Sequence, residues 1–227
     1  REALPLVGLA CSAFIFNTSE FIPVGLLTDI AATFALSEAQ AGMMISVYAW
    51  AVMVLSVPLM VLGSRMAMKP LLLTLLALFT AGQAGSAVAP TFELLVASRL
   101  LVAAAHAVFW SIASPVATRV VSGGNASLAM GMVATGSSVA MVLGLPLGRA
   151  VGLVLGWRMT FGCMAVVSLA ALVYLALLLP PMEKGEPFRV RELPGLLRNP
   201  VLIGMYVVTV CFACGYYTGY SYIEPFL

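Results

Sequence analysis

Apolar residues recur in this chain in runs long enough to cross a lipid bilayer, and that feature leaves few folds open. Windows of about 19 to 25 apolar residues give seven segments, near 4–28, 40–63, 70–90, 93–118, 126–152, 157–180 and 200–226. A hydrocarbon core about 30 Å thick is spanned by roughly 20 residues of helix. No water reaches the backbone there, so each span must satisfy its own N–H and C=O groups as a helix. The predicted fold class is an all-α polytopic membrane protein.

Composition agrees. Hydrophobic residues make up 62% of the chain and charged ones 9%, with a mean hydropathy of +1.08, whereas a soluble domain carries about 25% charged residues. A net charge of +2 with no basic run argues against a nucleic-acid partner. The first apolar stretch is too long for a signal-peptide core, contains Glu20 and lacks an Ala-x-Ala exit, so a cleaved signal is not expected. Cys211 and Cys214 have CxxC spacing, but they lie in an apolar run with no second pair or nearby histidine. They read as small helix residues, as do Cys11 and Cys163.

The breaks between spans have local causes. Asp29 to Glu38 reads as a polar turn with Ser37 as a helix cap. Gly63 to Pro70 is a tight charged turn, while Ala89-Pro90-Thr91 and Ser122 to Asn125 carry turn signals. Pro180-Pro181 stops the sixth span. Arg65, Lys69, Arg119, Lys184, Arg189, Arg191 and Arg198 follow even-numbered spans; Asp29, Glu38 and Glu93 follow the first and third. The positive-inside rule therefore puts the N-terminus in the cytoplasm, with Arg158 and Arg149 as exceptions on the outer side. Residues 1–180 are expected to form a six-helix transmembrane unit and 181–199 a charged cytoplasmic linker. The stretch 200–227 is expected to start a second unit whose remainder is absent from this chain.

Ionisable residues inside spans are costly and mark function. Glu20 lies deep in the first span, three residues from Asn17; Arg99 and His106, the chain's one histidine, lie in the fourth. Arg99, Ala103, His106, Trp110 and Ser114 advance by four, three, four and four residues and so share a helix face. A carboxylate in such a place can take up and release a proton, which makes Glu20 the first candidate for proton coupling, with His106 and Arg99 beside it. The alternatives are a fixed ion pair at Glu20, a structural histidine, and an Arg99 that snorkels to the outer interface. In the seventh span, Ala213, Tyr217, Tyr220 and Glu224 form a stripe. Tyr217 and Tyr220 suit either a cavity or an interfacial belt, Tyr48 and Trp50 are open between the same two, and Trp157 and Tyr222 read as belt residues. Hydroxyl-bearing ligands would find partners in Asn17, Tyr48, His106, Trp110, Tyr217, Tyr220 and Glu224.

Longer strings carry a resemblance. They are Phe14 to Leu27, His106 to Ile112, Val142 to Arg149, Gly156 to Phe161 and Tyr220 to Phe226. With the six-plus-one layout, they resemble the major facilitator superfamily, and more narrowly the bacterial sugar efflux transporters of its drug:proton antiporter branch. The resemblance implies a six-helix N-terminal half built as 3+3 inverted repeats, followed by the first helix of the second half. It further implies proton-coupled efflux of small sugars such as arabinose or thiogalactosides across the bacterial inner membrane. The superfamily's loop after the second helix is recognisable in Gly63, Arg65 and Lys69, but its aspartate is missing; Arg99 matches the fourth-helix arginine. Gly144, Pro146 and Gly148 resemble the antiporter motif of the fifth helix, with Arg149 where a second glycine is usual. Glycine and proline there suit close packing and a gate.

Other classes fit poorly. His106 with Ser137 or Ser138 is the one conceivable hydrolytic pair, and no Gly-x-Ser-x-Gly elbow exists. One histidine and scattered acids supply too few ligands for a metal. The expectation is a non-enzymatic transporter without cofactor, acting as a monomer on a small sugar and protons within the bilayer. A multidrug:proton antiporter is the alternative.

Overall fold

The structure, a computed structural model, describes residues 3–121, 125–182 and 198–221 together with Lys184 and Gly195, and the last helix's side chains as far as Gly215. It falls into two units, Arg1–Pro187 and Phe188–Leu227. The first holds α1 (Ala3–Gly25), α2 (Leu27–Thr33), α3 (Glu38–Gly63), α4 (Met68–Val88), α5 (Phe92–Val120), α6 (Ala126–Leu155) and α7 (Trp157–Leu178). All but α2 are long and apolar enough to cross a membrane. The second unit holds α8 (Pro200–Ser221), apolar over Pro200–Gly215.

Helix starts follow the sequence signals. Ser37 closes a capping box on α3: its hydroxyl accepts from the Gln40 N–H at 3.2 Å, and the Gln40 side-chain oxygen accepts from the Ser37 N–H at 2.9 Å. The Thr91 hydroxyl accepts from the Leu94 N–H at the start of α5. Gly156 alone separates α6 from α7, at φ 85°, a conformation that a side chain would strain.

Two expectations need correction at the end of the bundle where α1 meets α2. Asp29 to Glu38 is not simply a polar turn, because Leu27–Thr33 forms α2 with Ile30 and Ala31 buried. That helix ends in a Schellman motif, with Ala35 at φ 53° and the Leu36 N–H donating to the Ala31 carbonyl at 2.9 Å. Trp157 is not a belt residue: it is buried, its indole donates to Thr33 Oγ1 at 2.9 Å, and the Arg158 guanidinium lies 4.2 Å over its ring. The amphipathic character of α2, which turns Ile30 and Ala31 inward, gives both residues a protein environment instead of an interface. The two cationic exceptions to the charge rule are likewise accounted for. Arg149 pairs with Asp29 at 2.5 Å, and Arg158 donates to the Ala89 carbonyl at 2.7 Å.

Packing within the first unit has an internal symmetry. α1 packs along α6 as α5 packs along α3; α4 packs on α5 as α7 packs on α1; α4 and α7 pair with each other. Exchanging the first three spans with the second three maps these pairs onto one another, as a three-helix repeat requires, although the α6–α7 packing has no comparable counterpart between α3 and α4. The α1–α6 contact is close because α6 presents Gly136, Ala140, Gly144, Gly148 and Gly152 to it, one small residue per turn. A Cβ on Gly136 would run into the Ala10 carbonyl, and one on Gly148 would lie 2.6 Å from Ile22 Cγ1. Centrally, Phe16 stacks on Phe109 with ring centroids 4.0 Å apart and meets Phe79 at 4.2 Å, joining α1, α5 and α4.

Candidate functional site

The polar residues of the first and fourth spans converge beside that aromatic centre. His106 Nε2 lies 3.8 Å from Glu20 Oε2, with the histidine side chain 7% exposed and the glutamate 29%. Pro23 and Glu20 from α1, Met44, Ile45 and Tyr48 from α3, and Arg99 from α5 line one small recess. Tyr48 stands edge-on to His106 at 5.9 Å, and Arg99 lies over the Tyr48 ring at 4.7 Å. Four of the residues singled out from sequence, Glu20, Arg99, His106 and Tyr48, thus form one cluster.

Trp110 joins it through its ring. The Trp110 indole N–H donates to His106 Nε2 at 2.9 Å. A ring nitrogen that accepts must carry no hydrogen, while the other ring nitrogen, Nδ1, is buried without a hydrogen-bond partner among the described residues. Protonating Nε2 would turn it from acceptor to donor. It would then release the indole and face the Glu20 carboxylate. One nitrogen therefore faces two partners that call for opposite protonation states.

Arg99 does not snorkel. Its side chain is 2% exposed; Nη2 donates to the Ser19 carbonyl at 3.0 Å and Nη1 to Ser19 Oγ at 3.1 Å. Gln83, fully buried on α4, donates to the same hydroxyl. Sequence reasoning missed Ser19 and Gln83 as members of the cluster; a glutamine in an apolar span was the available signal.

Asn17 points elsewhere on α1. Its amide donates to the Ser137 carbonyl at 3.2 Å and to Ser137 Oγ at 2.6 Å, so it binds α1 to α6. Gly144 packs on Thr18, Gly148 on Ile22, and Arg149 reaches Asp29, so the antiporter-like motif lies along the same seam. Pro146 lies within α6 on that stretch. Tyr217 and Tyr220 fall within α8, but their side chains, and Glu224 entirely, lie outside the described residues. Among the described residues no group of His, Cys, Asp and Glu could hold a metal ion.

Solved structures with the same fold are transporters. The peptide transporter POT in complex with sulfate matches with a TM-score of 0.71 and 17% identity, covering 98% of this chain and 48% of that one. A POT family transporter in complex with 5-aminolevulinic acid matches with a TM-score of 0.69 and 14% identity, covering 96% and 47%. The chain thus spans about half the length of these structures, and the likeness at such identity concerns the fold alone. The sequence profile of the Major Facilitator Superfamily matches residues 9–227. An all-α fold with paired three-helix repeats and a profile match over nearly its whole length place this chain in the Major Facilitator Superfamily.

Proposed function

We propose that this chain supplies the N-terminal half and the first helix of the second half of a proton-coupled exporter of small sugars. It would work in the bacterial inner membrane with its N-terminus in the cytoplasm. The observation that carries the reading is the Glu20–His106–Trp110 arrangement: a partly accessible carboxylate 3.8 Å from an imidazole nitrogen already held by an indole. Glu20 is the proton carrier in this reading. His106 and Trp110, with Tyr217, Tyr220 and Glu224 of the second half, offer hydroxyl partners and ring faces to a sugar. Alternating access would rock one half over the bound sugar, with protonation of Glu20 shifting the balance between states.

A drug exporter is the second reading, because Pro23, Met44 and Ile45 place apolar surface beside the Glu20 carboxylate, with Tyr48 and Arg99 completing that wall. Counterflow in proteoliposomes with a panel of labelled sugars and lipophilic cations separates the two. Saturable exchange of a sugar, driven further by an imposed proton gradient, is expected. Exchange of cations alone would replace the sugar reading.

A further inference from the structure

Pro23 lies inside α1, one turn beyond Ser19. Proline has no N–H, so the Ser19 carbonyl loses the donor that residue i+4 of a helix would supply. Arg99 of α5 replaces it: Nη2 donates to that carbonyl at 3.0 Å, and Nη1 holds the Ser19 hydroxyl at 3.1 Å. Gln83 of α4 donates to the same hydroxyl. The guanidinium is itself fixed between rings, 4.7 Å from Tyr48 and 5.6 Å from Phe161. Gln83 is set in depth by Gly82, where a Cβ would lie 2.9 Å from the Ser98 carbonyl of α5.

The next residue after Ser19 is Glu20. Both Arg99 bonds therefore end on the residue whose peptide carries the carboxylate. We infer that Arg99 and Gln83 are positioning residues: they pin the proline-broken turn of α1 through Ser19 and so fix where Glu20 stands. Arg99 on this account is a surrogate main-chain donor, not a station on the proton path. The fork matters more than the charge, because two parallel donors must meet a carbonyl and a hydroxyl on one residue. The inference rests on the reading of Glu20 as the proton carrier only for its consequence in transport; the pin itself does not depend on it.

Pro23→Ala gives the decisive background, since alanine restores the N–H that the Ser19 carbonyl lacks. Proton-driven uptake of a labelled sugar into inverted vesicles is measured across pH for the whole transporter chain, and thermal stability is measured on the purified protein. Arg99→Gln is expected to lower uptake by about tenfold or more, the loss of a charge-assisted bond in a dry site. It should also lower the melting temperature. In the Pro23→Ala background the same change should lose less than about threefold and lower the melting temperature less than it does in the native background. Arg99→Lys should not rescue the native background, because a single ammonium cannot hold both Ser19 groups.

Equal losses in the two backgrounds, or full rescue by lysine, would overturn the pin and leave Arg99 acting through its charge. Should Arg99→Gln fail to fold, Gln83→Met tests the same claim with its packing volume kept. A shifted pH profile for uptake supports positioning of Glu20, and a profile identical to the native one overturns it. Among the described residues, His106 and Arg99 from α5 and Tyr48 from α3 stand beside Glu20; from α4 and α7 the uncharged Gln83 reaches Ser19 and Phe161 packs on Arg99. Survival of proton-driven uptake in Glu20→Gln would sink the functional reading alone, because the stability cycle between Pro23 and Arg99 is read without transport.

Discussion

Gly144 of α6 lies so close to Thr18 of α1 that a Cβ added to it would stand 2.7 Å from the threonine hydroxyl oxygen. The same helix brings Gly136 onto the Ala10 backbone, Gly148 onto the Ile22 side chain and Gly152 onto Leu26 just beyond α1, so glycines line the contact over four turns. A seam of this kind has little room to adjust, because the neighbouring atoms include main chain as well as side chain.

Two glycines of α6 that look alike in sequence should therefore behave differently. Gly136→Ala forces a methyl into the Ala10 carbonyl and should destabilise the protein by about 1–3 kcal/mol, the range for overpacking. Gly131 has nothing within 4 Å of its Cβ position, so Gly131→Ala should be neutral or stabilise by up to about 1 kcal/mol through helix propensity. Melting temperatures of the two purified variants check this, and equal effects would contradict the seam.

Arg149 and Arg158 should separate in the same way. The Asp29–Arg149 pair is 41% exposed on each side, and an exposed pair contributes roughly 0–1 kcal/mol, so Asp29→Asn should barely change stability. Arg158 both covers the Trp157 ring and donates to the Ala89 carbonyl. Arg158→Ala should cost more, on the order of 1–2 kcal/mol, from a lost cation–π contact and an orphaned carbonyl. Paired thermal melts give the ranking, and a larger loss for Asp29→Asn would reverse it.

What the sequence disclosed and what it hid divide along a physical line. Span length, the Ser37 cap, the Thr91 start and the proline stops are local properties, and the observed helix ends lie within a few residues of those expected. That Glu20 and His106 would find polar partners was also legible, since a carboxylate and an imidazole in lipid-spanning sequence need them; that they meet each other was not. The direction of Asn17 was not: residues three apart share a face, yet Asn17 turns to Ser137 while Glu20 turns to His106. Trp157 and Gln83 depended on which helix folds over them, a tertiary matter that no window of residues records. The glycine stripe was half legible, because the family-like motif drew the eye to Gly144 and Gly148 but not to Gly136 and Gly152 on the same face.

For the coupling step, Glu20→Gln separates binding from driving force. The amide keeps the shape of the side chain and can still hydrogen-bond, while it no longer exchanges a proton at ordinary pH. Sugar exchange between the two sides should persist, and accumulation driven by a proton gradient should vanish. Gradient-driven uptake that survives in inverted vesicles would move the carrier to His106 or Glu224.

The ligand prediction turns on Asn17 and Tyr217, which belong to different halves of the proposed transporter. If a sugar is held by both halves, removing a hydrogen-bonding group from either should weaken binding by roughly 1 kcal/mol or more in a desolvated site. Tyr217→Phe takes away one hydroxyl and keeps the ring, so its effect should appear in affinity with no change in melting temperature. Asn17→Ala is different, because its amide already donates to Ser137 at 2.6 Å. That variant should lose stability by about 1 kcal/mol, and affinity with it if the proposed binding face shares the residue with the α1–α6 seam. Ser137→Ala is the control: it removes the hydroxyl partner of Asn17 but no group offered to the ligand. Calorimetric titration on folded protein should find Ser137→Ala lower in stability and near native in affinity. Equal losses of affinity in Ser137→Ala and Asn17→Ala would mean that Asn17 serves the seam alone, and native affinity in both Asn17→Ala and Tyr217→Phe would place the ligand elsewhere and favour the drug-exporter reading.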